Sequence, residues 1–221
     1  MEGKRGIANI LLSFILLLAP AIAVSSSYEP YLQKIQKRYS RLPGLILSYK
    51  RELTSKSLDM LGRGMKEDIG TGKIFLKPPC LLRIEQQKPT HEIIINNGKE
   101  IWWYIPSRNT AYRYKTEDFG KELHILKDIF TGMNDIKRGF DISLERGDRD
   151  IFLLLRPVRP WQDIEKIRIQ IDSHDFRIRM VKIYNLLGSI TCFRLDNEIR
   201  ADLKKGIFSI HIPEGTRIIE R

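Results

Sequence analysis

Apolar residues recur along most of this chain in short alternating runs, and only two segments change to a helical spacing. Residues 45–53 place Leu45, Leu47, Tyr49 and Leu53 on one face of a half-buried strand. Residues 54–64 read as a polar loop, and 65–76 as a second strand, bent near Gly70-Thr71-Gly72. Four apolar runs follow in close order at 74–76, 81–84, 93–95 and 101–105. Pro78-Pro79, Lys88-Pro89 and Asn96-Asn97-Gly98 separate them. Proline cannot donate to a ladder and Asn-Gly tolerates positive φ, so this is strand, turn, strand, turn. Further strands are predicted at 109–115, 140–145, 151–155, 164–171, 176–184, 189–195 and 206–212.

The helical segments are 29–39, with Tyr31, Leu32, Ile35 and Tyr39 on one face, and 122–130, with Leu123, Leu126, Ile129 and Phe130. About twelve strands with short turns make an antiparallel meander, and one this long must curl or close. The fold expected is mainly β with a few α-helices, an antiparallel sheet that curls or closes. A helix inserted among strands buries its apolar side only by lying across a face or open end of the sheet.

Composition adds location. Lys4 and Arg5, an apolar run at 7–18 and the small-x-small site Ala21-Ile22-Ala23 read as a cleavable signal peptide covering residues 1–23. The apolar run is shorter than the ~20 residues a spanning helix needs. Residues 24–221 then form a single exported domain. The chain has 38 basic and 27 acidic residues, a formal net charge of +11, which suits an anionic membrane surface or an acidic partner. Those charges are dispersed, as on an ordinary solvated surface. Cys80 and Cys192 are the two cysteines, and a bridge between them would stabilise by up to about 4–5 kcal/mol. Sequence alone does not show that they meet.

Catalytic chemistry is hard to find. His91, His124, His174 and His211 have no ligand spacing, so no metal site or cofactor is expected. Asp172-Ser173-His174-Asp175 falls between strands and reads as a polar turn rather than a triad fragment. Glu117, Asp118 and Glu122 suit solvated positions at a helix start. No glycine-rich phosphate loop follows a strand. The expectation is a protein that is not an enzyme. Nor is nucleic acid expected, because Trp102-Trp103-Tyr104 alternate faces along one strand and cannot make a single stacking platform. A curled sheet with an apolar concave face points instead to a packed core or a lipid cavity.

At this point residues 73–106 resemble the periplasmic outer-membrane lipoprotein carrier family, the LolA-like proteins. That family has a strand ending in Lys-Arg-Pro, then Asn-x-Phe-Arg-Trp, a Pro, a hydrophobic strand to Asp-Gly-Lys, and x-x-Trp-x-Tyr-x-Pro. Here stand Lys77-Pro78-Pro79, Cys80-Leu81-Leu82-Arg83-Ile84, Pro89, Ile93-Ile94-Ile95, Asn97-Gly98-Lys99 and Trp102-Trp103-Tyr104-Ile105-Pro106. Leu155-Arg156-Pro157, Asn185-x-x-Gly188 and Phe208-Ser209-Ile210-His211-Ile212-Pro213-Glu214-Gly215 extend the match through the chain.

The resemblance implies an incomplete, strongly curved antiparallel β-barrel whose opening is covered by an N-terminal helix and lid helices. It also implies a monomeric carrier that shields the acyl chains of lipoproteins across the periplasm, without a cofactor. Cargo would come from an inner-membrane ABC transporter and pass to an outer-membrane acceptor. The cavity residues expected are Leu47, Tyr49, Leu76, Leu82, Ile84 and Trp103, and the lid residues Leu123, Leu126, Ile129 and Phe130. Pro78 stands where the family has an arginine associated with holding the lid closed, with Lys77, Arg83 and Arg113 as candidate substitutes. That departure raises an alternative: a non-shuttling envelope sensor or scaffold of the same fold that binds a lipid, glycolipid or protein.

Overall fold

The computed structural model describes residues 27–55, 68–115, 121–131, 133–161 and 164–221, with only the backbone at 121–124, 134 and 135. The predicted leader, the carboxylates Glu117 and Asp118 and most of the predicted polar loop lie outside the described residues.

Helix α1 (Glu29–Tyr39) begins with Pro30 in its first turn and Glu29 near the positive end of its dipole, and ends with Lys37 and Arg38. It buries Leu32, Ile35 and Tyr39. β1 (Leu45–Ser55) follows, then β2 (Asp68–Lys77), β3 (Leu81–Lys88), β4 (Glu92–Asn96), β5 (Glu100–Ile105) and β6 (Thr110–Lys115). Helices α2 (Lys121–Thr131) and α3 (Asn134–Gly139) carry the chain to β7 (Phe140–Arg146), β8 (Asp150–Pro157), β9 (Ile164–Asp172), β10 (Ile178–Asn185) and β11 (Ser189–Arg200). The last strand is β12 (Arg217–Glu220).

All twelve described strands form one sheet in the order β12-β6-β5-β4-β3-β2-β1-β11-β10-β9-β8-β7. It is an open, strongly curved and almost wholly antiparallel sheet. Two meanders meet at β1, which pairs with β2 on one side and β11 on the other. Because α2 and α3 connect the meanders, they must pass the sheet between β6 and β7. Ile125, Leu126, Ile129, Phe130, Met133 and Ile136 bury their side chains there, in one core with Leu45, Leu47, Ile74, Leu153, Ile167, Ile169 and Val181. That face is the concave one. Asp128, buried, ties the two helices: its Oδ2 accepts the Ile136 N–H at 2.7 Å and its carbonyl the Met133 N–H at 2.8 Å.

One expectation is corrected at the C-terminus. The segment predicted as a strand at 206–212 is not one; Lys205–Phe208 is a 3-10 turn and the residues after it pair with no strand. Its apolar residues lie flat on the convex face instead, where Leu203, Ile207, Phe208 and Ile210 cover Ile46, Phe75, Ile93 and Ile95. Lys77 Nζ donates to the Leu203 carbonyl at 2.6 Å and Arg83 Nη1 to the Ile207 carbonyl at 3.0 Å, fastening this strap. Beyond it the chain adds β12 parallel to β6, a pairing that strand alternation did not reveal. The two cysteines are both free: Cys80 lies in the β2–β3 turn and Cys192 is buried on β11.

Asp172-Ser173-His174-Asp175 is the turn between β9 and β10. Asp172 Oδ1 accepts the His174 and Asp175 N–H groups at 2.9 and 3.3 Å, and Arg179 Nη2 donates to Oδ2 at 2.7 Å. The Arg179 hydrogen bond, followed by the backbone donors, lowers the Asp172 pKa from 3.8 to about 2. A carboxyl depressed in the folded state stabilises above its unfolded value and loses that contribution as pH falls through the folded one. Between pH 3.8 and about 2, therefore, the wild type should lose melting temperature faster than Asp172→Asn. Thermal melts across that window check it; parallel curves would refute the role. The group is only half-buried and open to solvent screening, so the effect is modest.

Candidate functional site: an apolar cavity in the concave face

Not all of the concave face lies under the helices. A cavity of about 520 Å³ opens on it, bounded by β1–β5 and β11, a size within the range of about 300–1,000 Å³ usual for small-molecule sites. Its floor is one rung of the sheet. Cross-strand register sets Leu47, Ile74, Ile84, Ile94, Trp103 and Tyr112 side by side across six strands. Of these, Ile74, Ile84, Ile94 and Trp103 line the cavity. Successive side chains of a strand alternate faces, so the apolar rung follows once each strand presents one isoleucine or tryptophan inward.

The next rung toward the mouth is mixed. Tyr49 pairs with Gly72, Gly72 with Gln86, and Gln86 with Glu92. At Gly72 the strands come so close that a Cβ would lie 2.0 Å from the Glu85 carbonyl oxygen, where β2 shifts register against β3. The bend predicted at Gly70-Thr71-Gly72 is this irregularity. Tyr49 packs at 6.2 Å from the Phe193 ring, and burial pushes its phenol up to about 12, so the hydroxyl stays neutral. Glu92 Oε2 accepts the Trp103 Nε1–H at 2.9 Å and holds the indole edge toward this rung. At the mouth, Arg51 Nη2 meets Asp68 Oδ2 at 3.1 Å beside Leu53 and Thr191. The site thus runs from apolar to polar to charged. Such a gradient accommodates a ligand with a hydrocarbon tail and a polar end.

The six residues expected to line a cavity divide evenly. Tyr49, Ile84 and Trp103 border it. Leu47, Leu76 and Leu82 face the same way but belong to the packed core. Trp102, the neighbour of Trp103, is on the convex face under the Arg113 guanidinium, 5.7 Å away. Of the expected lid residues, Leu126, Ile129 and Phe130 pack on the core, the last at 5.2 Å from the Tyr39 ring. The Leu123 and Glu122 side chains lie outside the described residues.

Pro78 occupies the β2–β3 turn. Its three candidate substitutes all serve the convex side. Lys77 and Arg83 hold the C-terminal strap, and Arg113 pairs with Glu220 at 2.9 Å. Arg51, Gln86, Glu92 and Phe193 were not foreseen as cavity residues. The available signal was parity, since Gln86 is two residues past Ile84 and Glu92 two before Ile94. Among the described residues no group of three or more His, Cys, Asp or Glu could hold a metal ion. Nor is any described helix long and apolar enough to cross a membrane.

The family described as outer membrane lipoprotein carrier protein LolA matches residues 58–211. This chain belongs to the LolA family. An outer-membrane lipoprotein carrier protein of Histophilus somni is 32% identical over 182 residues, covering 82% of this chain and 83% of the relative. One from Pasteurella multocida is 24% identical over 210 residues, covering 95% and 96%. Among solved structures, an uncharacterized conserved protein of Thermus thermophilus superposes with a TM-score of 0.57 at 14% identity, covering 87% of this chain and 98% of that one. The last likeness concerns the fold alone. The LolA-family sheet here carries its cavity between β1–β5 and β11, away from the helices that close the remainder of the concave face.

Proposed function

We propose that this protein is a periplasmic carrier that binds the acyl chains of lipoproteins in its cavity and ferries them from the inner to the outer membrane. The observation that carries this reading is the apolar rung Ile74–Ile84–Ile94–Trp103 at the base of a cavity of about 520 Å³, in a chain of the LolA family. Each methylene moved from water to such a surface is worth about 0.8 kcal/mol, so even partial insertion of an acyl chain competes with the membrane. The leader, residues 1–23, is cleaved on export, and 24–221 act as one monomeric domain without a cofactor. An inner-membrane ABC transporter loads it and an outer-membrane acceptor unloads it.

The test is to export the full chain with its leader, purify it from the periplasmic fraction and identify bound acyl species by mass spectrometry. Acylated protein or lipid in the cavity, delivered to outer-membrane vesicles, is the expected result. An empty protein that takes up no acylated lipoprotein overturns the proposal. Cargo that is bound but never handed on would favour the sensor or scaffold reading, which draws support from Lys77, Arg83 and Arg113 all being held on the convex face.

A further inference from the structure

The hairpin turn joining β10 to β11 is built against expectation. Turn positions favour Gly, Pro, Asn, Asp and Ser. Here the two residues between Asn185 and Gly188 are Leu186 and Leu187, 62% and 78% exposed. The turn around them is well formed. Asn185 Oδ1 accepts the Leu187 N–H at 2.7 Å, the Asn185 carbonyl accepts the Gly188 N–H at 2.9 Å, and Gly188 has φ +82°. The leucines are therefore presented by a braced tip.

Strand direction shows what shares that end of the sheet. β10 ends and β11 begins there, and β1 ends beside them, with Ser55 opposite Ser189 and Leu53 opposite Thr191. Leu53 and Thr191 are mouth residues of the cavity. β8 also ends there, followed by Val158, 58% exposed. The exposed cations Lys88, Arg108, Arg156 and Arg159 occupy the ends of strands or the loops at the same end. Among the described carboxylates at that end, Asp68 meets Arg51, Glu92 accepts from Trp103 and Glu165 meets Lys166, while Asp141 and Glu214 are exposed.

We infer that this end of the sheet is a membrane-docking tip, with Leu186 and Leu187 entering the interface of a bilayer that contains anionic phospholipid. The inference deepens the carrier reading and rests on it, because a tip beside the cavity mouth brings that mouth to the surface where acyl chains enter or leave. Two leucines give a shallow, reversible hold, and the cations add an attraction that salt weakens. A carrier needs that combination, since an irreversible anchor would stop it.

The experiment is flotation of the mature protein with vesicles of equal parts phosphatidylethanolamine and phosphatidylglycerol, against vesicles of phosphatidylcholine alone. Wild type should partition to the anionic vesicles, less so as salt rises. The double variant Leu186→Ser, Leu187→Ser should partition on the order of ten- to a hundredfold less. Leu187→Trp should gain tryptophan fluorescence that brominated acyl chains quench, beyond what the native tryptophans show. Equal partitioning of wild type and double variant, or absence of wild-type binding, overturns the tip. A docking protein in place of the bilayer would do the same and would appear as loss of that contact without change in flotation. Acyl load is measured on the same preparations. A double variant that keeps its load while flotation is unchanged defeats the tip alone, whereas an empty wild type defeats the carrier reading.

Discussion

Ile94→Glu should purify folded but without an acyl chain. Ile94 is only half-buried, sits between Ile84 and Trp103 in the apolar rung, and borders the cavity. A carboxylate there either remains ionised in contact with hydrocarbon or is neutralised at a cost. With Glu92 already on the adjacent rung, no cation of the floor can pair with it. Facing an unpaired charge toward an acyl chain costs at least about 3 kcal/mol, or roughly a hundredfold in retention. Mass-spectrometric quantification of bound acyl species, with titration of a fluorescent fatty-acyl probe, reads the loss. Ile94→Phe, which fills space without charge, should weaken binding far less. A Glu variant with wild-type load would place the cargo elsewhere. The leucines at the core positions are poor choices for this test. Leu82 is fully buried in the packed core, and a glutamate there would unfold the sheet before it reported on the cavity.

The largest loss of stability should come from Tyr39→Ala. Tyr39 is fully buried where α1, α2 and the sheet meet. Its ring stands edge-on to Phe130 of α2 at 5.2 Å. Its hydroxyl donates to Glu198 Oε2 at 3.0 Å and accepts the Ile178 N–H at 3.1 Å, so one side chain pins both helices to β10 and β11. Burial, then Glu198, raises its pKa, which keeps the phenol a neutral donor. Truncation removes the ring, leaves a cavity and strands two polar partners, for about 4 kcal/mol in all. At this chain length that lowers the melting temperature by roughly 10 °C. Tyr39→Phe keeps the ring and should lose about 1–3 kcal/mol through the unpaired Glu198 and Ile178 groups. If α2 is a lid, the Ala variant should also expose the concave core and bind a hydrophobic dye while its β signal persists. A melting temperature within a degree of wild type would show that the helices are held by something else.

How far the site could be read from sequence depended on parity. Tyr49, Ile84 and Trp103 were legible because each sits at an inward step of an alternating strand, and a strand offers only two faces. Leu47, Leu76 and Leu82 have the same inward step and the same chemistry. What separates them from the cavity is the position of α2 and α3, which cover one part of the concave face and leave another open. No local pattern encodes that boundary. Arg51, Gln86 and Glu92 were overlooked because polar residues inside a strand look like the solvent face until pairing registers are known. At the C-terminus the opposite error occurred. Ile207, Phe208, Ile210 and Ile212 look like a strand, yet they cover the convex face, where burial comes from packing across strands rather than pairing with one.

By itself the sequence determined eleven of the twelve described strands, the inward faces of most of them, the helices at 29–39 and near 122–130, and membership of a carrier-like family through the motifs of residues 73–106. Those are local properties: alternation, turn chemistry and spacing fix them within a few residues of chain. The tertiary structure decided where the greasy surface is left open, and that Lys77, Arg83 and Arg113 are held away from the lid. These depend on contacts between residues more than a hundred positions apart, such as Lys77 with Leu203 and Arg83 with Ile207. Only folding brings such groups together, so only the folded chain can say which apolar residues are core and which are free to meet a ligand.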